Sequence, residues 1–220
     1  MQQEETGPML NTDQDATETG PRKRKEQAEQ TREALIDAAA VEFAIHGVGG
    51  ARNEDIVKRA GVTKGALYHH FVHKENIATL LIDGKYDIWP GIVAEVRAGQ
   101  LRGLAAIREI VRRVATHVST DIRVRAAMRI TREMNAGRPY ETPFIRWEDT
   151  FLNFLQQSIA DREISEEMDI RVTARVIVHC AWGVMNASEE SGTGDHVEQL
   201  LDDMWDRLFG GLRMPDVRSV

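Results

Sequence analysis

The chain of 220 residues holds a single cysteine, Cys180, so it cannot close an intramolecular disulfide. No stretch approaches the roughly 18 uncharged apolar residues that a membrane-spanning helix needs. The opening Met-Gln-Gln-Glu-Glu has neither the basic start nor the apolar run of a secretory signal. These absences argue against a stapled secreted scaffold and against a membrane protein, and they make the cytoplasm the expected address. Catalytic signatures are missing as well. There is no His-Glu-x-x-His, no Gly-x-Ser-x-Gly and no phosphate loop, because Gly47-Val-Gly-Gly50 follows no strand and lacks the Gly-x-Gly-x-x-Gly spacing. Cys180 beside His179 in an apolar helical stretch reads as a buried pair rather than a nucleophile. The chain is therefore not expected to be an enzyme or to carry a cofactor.

What is present is charge unevenly divided. The net charge is −7, yet residues 22–74 hold ten Lys/Arg against seven Asp/Glu, while residues 1–21 hold five acidic side chains and no basic one. A local basic block in an acidic chain suits a phosphate-binding face that avoids indiscriminate contact. Residues 1–21 have no periodic apolar positions and read as a disordered acidic tail. Apolar residues elsewhere recur at helical spacing: Leu35, Ile36, Ala39, Ala40 and Phe43 with Gly47 as the stop; Ile77, Leu80, Leu81 and Ile88, interrupted at Trp89-Pro90-Gly91; then Leu104, Ile107, Val111, Val114 and Val118. Phe144, Trp147, Phe151 and Phe154 continue the pattern, as do Ile170, Ala174, Ile177, Ala181 and Val184. The fold class is all-α. The last segment, Val197 to Leu212, is apolar around most of its circumference, which predicts burial against the core on one side and against a second copy of the chain on the other.

The most specific signal is Asn53-Glu-Asp-Ile-Val-Lys-Arg-Ala60 followed by Gly-Val-Thr-Lys-Gly-Ala-Leu-Tyr-His-His-Phe71. It reads as helix, turn and second short helix, the arrangement of a DNA-reading element. Ile56, Val57 and Ala60 point inward, Gly61 takes the turn, and Val62 plugs the corner. Thr63 caps the second helix, whose electropositive start is formed by Lys64 with the backbone N–H groups of Gly65 and Ala66. Leu67 and Phe71 anchor that helix from behind. Tyr68, His69 and His70 remain to donate hydrogen bonds outward, and Lys74 is expected to add a phosphate contact. A metal reading of His69, His70 and His73 needs ligands three or four apart joined by a carboxylate or thiolate, and a Tyr-His-His tip on a recognition helix explains the same residues with less, so no metal is expected.

The stretch Glu54 to Glu75 resembles the TetR family of bacterial one-component repressors, and the resemblance runs from Thr31 to Leu81. It implies a three-helix helix-turn-helix domain, a larger C-terminal helical domain for ligand binding and dimerisation, and a homodimer built from the last two long helices as a four-helix bundle. The corresponding ranges here are 22–74 and 75–215. One departure is Arg52-Asn53, where the family usually has Thr or Ser. Asn53 is then the expected cap, and Arg52 joins Thr63, Lys64, Gly65, Ala66, Tyr68, His69, His70 and Lys74 as an expected DNA contact.

Within that family the chain is similar to the γ-butyrolactone receptors of Streptomyces. The similarity rests on Gly-Ala-Leu-Tyr-His-His-Phe followed by Lys-Glu, on Pro143-x-x-x-Trp147, and on an acidic pI near 5.6. It implies that Trp147 lines a ligand pocket. An apolar pocket in a helical bundle needs large walls and a few orienting polar groups. Trp89, Met128, Trp147, Phe151, Val178, Trp182 and Met185 are candidate walls, and Tyr86, Thr131 and Tyr140 candidate polar contacts. The competing account is that these aromatics and methionines simply fill the core. The expected function is a repressor of operator DNA released by a small autoregulator such as a γ-butyrolactone, butenolide or furan. The alternative is a pseudo-receptor or efflux regulator answering to an antibiotic or other end product.

Overall fold

The computed structural model describes residues 19–83, 88–135, 144–190 and 196–209. Those residues form α1 (Thr19–Gly50), α2 (Asn53–Ala60), α3 (Lys64–His70), α4 (Lys74–Ile82), α5 (Trp89–Ala98), α6 (Gly103–Thr120), α7 (Ile122–Asn135), α8 (Phe144–Ala160), α9 (Ile170–Glu190) and α10 (Val197–Met204), with a π-helical turn at Trp205–Phe209. No strand occurs among them, so the all-α expectation holds. Most of the acidic tail lies outside the described residues, and its end, Thr19 to Pro21, is the first turn of α1.

Two apolar cores organise the chain. In the first, Leu35, Ile36 and Phe43 of α1 close over Ile56 of α2, Leu67 of α3 and Phe71. Ile77, Ala78 and Leu81 of α4 belong to this core too, and so do Ala126 and Ile130 of α7. The second core gathers Val96 of α5, Ile107 and Ile110 of α6, Phe151 and Phe154 of α8, Ile177 and Val178 of α9, and Leu201 and Trp205 from the end of the chain. Helix α6 runs through the second core on the stripe Leu104, Ile107, Val111, Val114 and Val118, all buried at spacings of three and four. Both its ends are tied by other elements. Glu163 accepts the Leu104 N–H (3.1 Å) and the Ser158 hydroxyl (2.9 Å), while Arg125 donates to the carbonyls of Val118 (3.3 Å) and Ser119 (2.7 Å).

Helix α7 joins the two cores. Arg123 pairs with Glu33 (2.9 Å) and Asp37 (2.6 Å) of α1. Six residues further on, Arg129 donates to the carbonyls of Ala44 (3.0 Å) and Ile45 (2.9 Å), and Glu133 accepts the Val48 N–H (3.1 Å). This is where α1 breaks: Gly47 sits at φ 68, ψ 172, and a single further turn runs to Gly50. A side chain at Gly47 would both occupy the left-handed region and collide with the Glu133 carboxylate.

Three local expectations are corrected. The helix opened by Lys74 ends at Ile82 rather than reaching Ile88, and Trp89-Pro90 begins α5 instead of interrupting it. Proline is well accommodated there, because the first turn of a helix has no partner for the N–H that proline lacks. Arg52, not Asn53, occupies the cap position of α2, in an extended conformation without a side-chain cap bond. The last α-helix ends at Met204, where the chain widens into the π turn; positions 210–212 of the expected helix lie outside the described residues.

Candidate nucleic-acid interface and small-molecule site

The helix-turn-helix is fixed by bonds that the local sequence supplies. Gly61 takes the left-handed conformation (φ 66, ψ 28) and closes α2 by donating to Lys58 and Val57 carbonyls. Thr63 is extended and its hydroxyl oxygen accepts the Ala66 N–H at 3.2 Å, capping α3. Leu67 and Phe71 are buried under the helix, and Arg32 of α1 lies over the Phe71 ring, 5.6 Å from its centroid. With its back so anchored, α3 turns Lys64, Gly65, Tyr68 and His69 outward, and Tyr68 remains 49% exposed although it is a large aromatic. Ala66 and His70 are half-buried.

The charged groups around α3 are held in open contacts. Lys64 meets Glu54 at 3.2 Å, both largely exposed, and the pair shifts both groups toward their charged forms. The Glu54 carboxyl is lowered first by its own backbone N–H and then by Lys64. Burial, followed by the neighbouring His69 and Arg32, lowers His70, so its imidazole is held toward the neutral form. Across a shallow cleft, exposed Arg52 faces the Tyr68 side of α3, and Asn53 donates to the Tyr68 hydroxyl at 3.5 Å. The Lys74 ammonium lines the same cleft but is half-buried. It donates to the carbonyls of Ala51 (2.7 Å) and Gly49 (3.4 Å), and so ties down the loop between α1 and α2. That second task, and the Asn53–Tyr68 contact, had no sequence signal, because the partners lie 15 to 25 positions apart.

In the C-terminal core the singled-out aromatics come together. Trp89 stacks on Trp147 with ring centroids 4.6 Å apart and planes 7° from parallel, Phe151 is tilted against Trp89 at 5.8 Å, and Trp182 meets Trp147 edge-on at 6.5 Å. The Trp89 indole N–H donates to the Thr150 hydroxyl at 3.3 Å, a polar group that sequence reading missed. Val178 and Met185 are buried in the same core and Met128 is packed against it. Thr131 is half-buried on α7, one turn from Met128. Tyr86 and Tyr140 lie outside the described residues, as does Pro143. Trp89 and Trp147 are 6% and 8% exposed and cover one face of each other, with Phe151 and Trp182 around them, so the cluster is packed and the Thr150 hydroxyl is the polar group at its edge.

The profile of the bacterial regulatory proteins, tetR family, matches residues 35–79. The chain is 30% identical over 196 residues to the A-factor receptor protein of Streptomyces griseus, an alignment covering 88% of this chain and 68% of that one. Among solved structures it is similar to a γ-butyrolactone receptor described as ArpA-like, with TM-score 0.71, 26% identity and coverage of 85% of this chain and 90% of that one. It is also similar to CprB from Streptomyces coelicolor, solved in complex with its biological operator sequence, with TM-score 0.74, 26% identity and coverage of 87% and 92%.

Proposed function

The chain belongs to the TetR family of bacterial regulatory proteins, and on that premise we propose that it is a homodimeric repressor that leaves its operator when a small lactone, butenolide or furan enters the C-terminal core. The observation that carries this reading is the stacked Trp89–Trp147 pair beside Thr150, linked through α7 to a reading helix whose outer face is free. Lys64, Gly65, Tyr68 and His69 would meet the major groove and its phosphates, with Arg52 on the flanking backbone and Lys74 holding the loop that carries it. Two copies would place their reading helices about 34 Å apart on a pseudopalindromic site.

The dimer face is proposed on α9 and α10. Val172 (54% exposed) and Val176 (44%) share one face of α9 with Gly183, beside which there is open space, and Leu200 of α10 is 41% exposed. Apolar side chains left bare next to a glycine that permits close approach suit helix-on-helix packing. In the liganded state the two heads would be held at a spacing that misfits DNA; a ligand with equal affinity for both states would release nothing.

The test is a gel-shift titration of the protein on promoter DNA from around its own gene, with tryptophan fluorescence followed in parallel. γ-Butyrolactones, butenolides and furans should release the DNA and quench the fluorescence, and Trp147→Ala should keep DNA binding while losing the response. Release by an antibiotic but by none of these would transfer the protein to the end-product regulators. Absence of any operator shift would sink the repressor itself.

A further inference from the structure

Helix α10 divides into three faces. Val197, Leu201 and Met204 are buried in the C-terminal core, together with Trp205 at the start of the π turn. Gln199, Leu200 and Asp203 point to solvent, where Gln199 donates to Asp203 at 3.3 Å and Leu200 is left exposed. The third face is acidic: Glu198, Asp202 and Asp206 recur every fourth residue and so share one side of the chain end. Helix α6 answers with Arg108, Arg112 and Thr116 at the same spacing. The Arg108 guanidinium donates to Asp202 (2.7 and 3.1 Å) and to Asp206 (2.9 Å). Thr116 donates its hydroxyl to Glu198 (2.5 Å), and Arg112 stands 3.9 Å from the same carboxylate. The two stripes therefore meet in antiparallel register. Arg112 is itself taken up by Glu109 through two bonds of 2.9 Å, which leaves Arg108 as the principal anchor.

These pairs are too open to be a main source of stability. The Arg108, Asp202 and Asp206 side chains are 38%, 40% and 65% exposed, and ion pairs so exposed contribute little. What a ladder of charges does better than an apolar contact is fix register. A slide of α10 by one turn toward the start of α6 would bring Asp202 to Leu104, and a slide the other way would take both aspartates from Arg108. Register matters because the solvent side of α10 is the side offered to a second copy. In a two-fold interface each helix is used twice, so an error in its seat counts twice. We propose that Arg108 is a positioning residue of the dimer: through Asp202 and Asp206 it sets α10 on α6, so that Leu200 joins Val172 and Val176 of α9 in one face for the partner. This rests on the dimer reading above. Arg108 thereby governs operator affinity without touching DNA, since both reading helices must come from one dimer.

The test measures the dimer dissociation constant of the full chain and of R108A by sedimentation. R108A should keep its helix content by circular dichroism while its dissociation constant rises at least about tenfold, equivalent to about 1.4 kcal/mol, because two ladders are lost per dimer. Its operator binding should weaken at low protein concentration and recover at high concentration, with the preference over scrambled DNA kept. The mirror variant R108D/D202R/D206R should dimerise close to wild type, and R108D alone should not. R102Q removes an exposed pair with Asp161 (3.0 and 3.2 Å) at the other end of the ladder helix and should dimerise as wild type. Equal dimer affinity in wild type and R108A overturns the proposal, and so does an equal weakening in R102Q. Helix loss in R108A that the mirror variant does not repair also overturns it, by making the ladder a requirement of folding. A wild-type chain that stays monomeric while it shifts operator DNA removes the dimer reading, and this proposal with it.

Discussion

Replacing Arg129 by alanine should loosen the break in α1 and weaken the link between effector and operator. The guanidinium donates to two carbonyls at the end of the helical run, Ala44 and Ile45, and its Nε meets Glu133 at 3.1 Å. Hydrogen bonds to a charged partner contribute about 1.5–3 kcal/mol. Two effects pull the expected cost to the lower half of that range. The Arg129 and Glu133 side chains are 26% and 36% exposed, so their ion pair contributes only about 0.5 kcal/mol. Ile45 is itself exposed, so water can replace part of what its carbonyl loses. The expected destabilisation is about 2 kcal/mol for Arg129→Ala, and about 0.5 kcal/mol for Glu133→Gln, which still offers an oxygen to the Val48 N–H. Denaturant unfolding reads the difference, and hydrogen exchange at Val48 to Ala51 should quicken more in the alanine variant. If α7 carries the signal, Arg129→Ala should still bind operator while needing more effector for release, since coupling requires an element that both sites bias. Unfolding midpoints and exchange rates equal to wild type would show that the α1 break holds itself and that the clamp is incidental.

Thr63→Ala should cost about 1 kcal/mol by uncapping α3, with Thr63→Ser close to wild type; equal denaturant midpoints for all three would remove the cap from the account. The Glu109 carboxyl is held down from 4.5 to about 2 by its hydrogen bonds to Arg112 first and Arg113 next, against the opposing effect of burial. Its folded value lies below its unfolded one, so its stabilisation is complete above 4.5 and is lost as pH falls toward about 2. Glu109→Gln should therefore flatten the stability profile across that window and change little in shape near neutrality, and an acid limb identical to wild type would refute the assignment.

The reading helix was legible in sequence because its determinants are neighbours. Thr63 bonds Ala66 three positions on, Gly61 ends α2 on carbonyls three and four back, and Leu67 and Phe71 are one turn apart. The all-α class was legible for the same reason, since burial at α6 follows the three-and-four spacing of its apolar residues. Trp89-Pro90 misled because a proline that breaks one helix can equally begin the next, and which occurs is decided by the chain before it. What periodicity cannot carry is pairing across distance. Trp89 and Trp147 were each singled out as pocket walls, but their stack joins residues on different helices. Arg129 and Ala44 are 85 positions apart, and neither breaks the pattern of its own helix. The residues that read DNA or line a small-molecule site must present unusual chemistry at a surface, so they mark the sequence. The residues that join those sites need only match each other, and an arginine on α7 suits its helix equally well with or without α1 beside it. On the proposed function, a signal from the tryptophan cluster to the reading helix would cross the seam that Arg123 makes with Glu33 and Asp37, and Arg129 with Ala44 and Ile45, where the local sequence is silent.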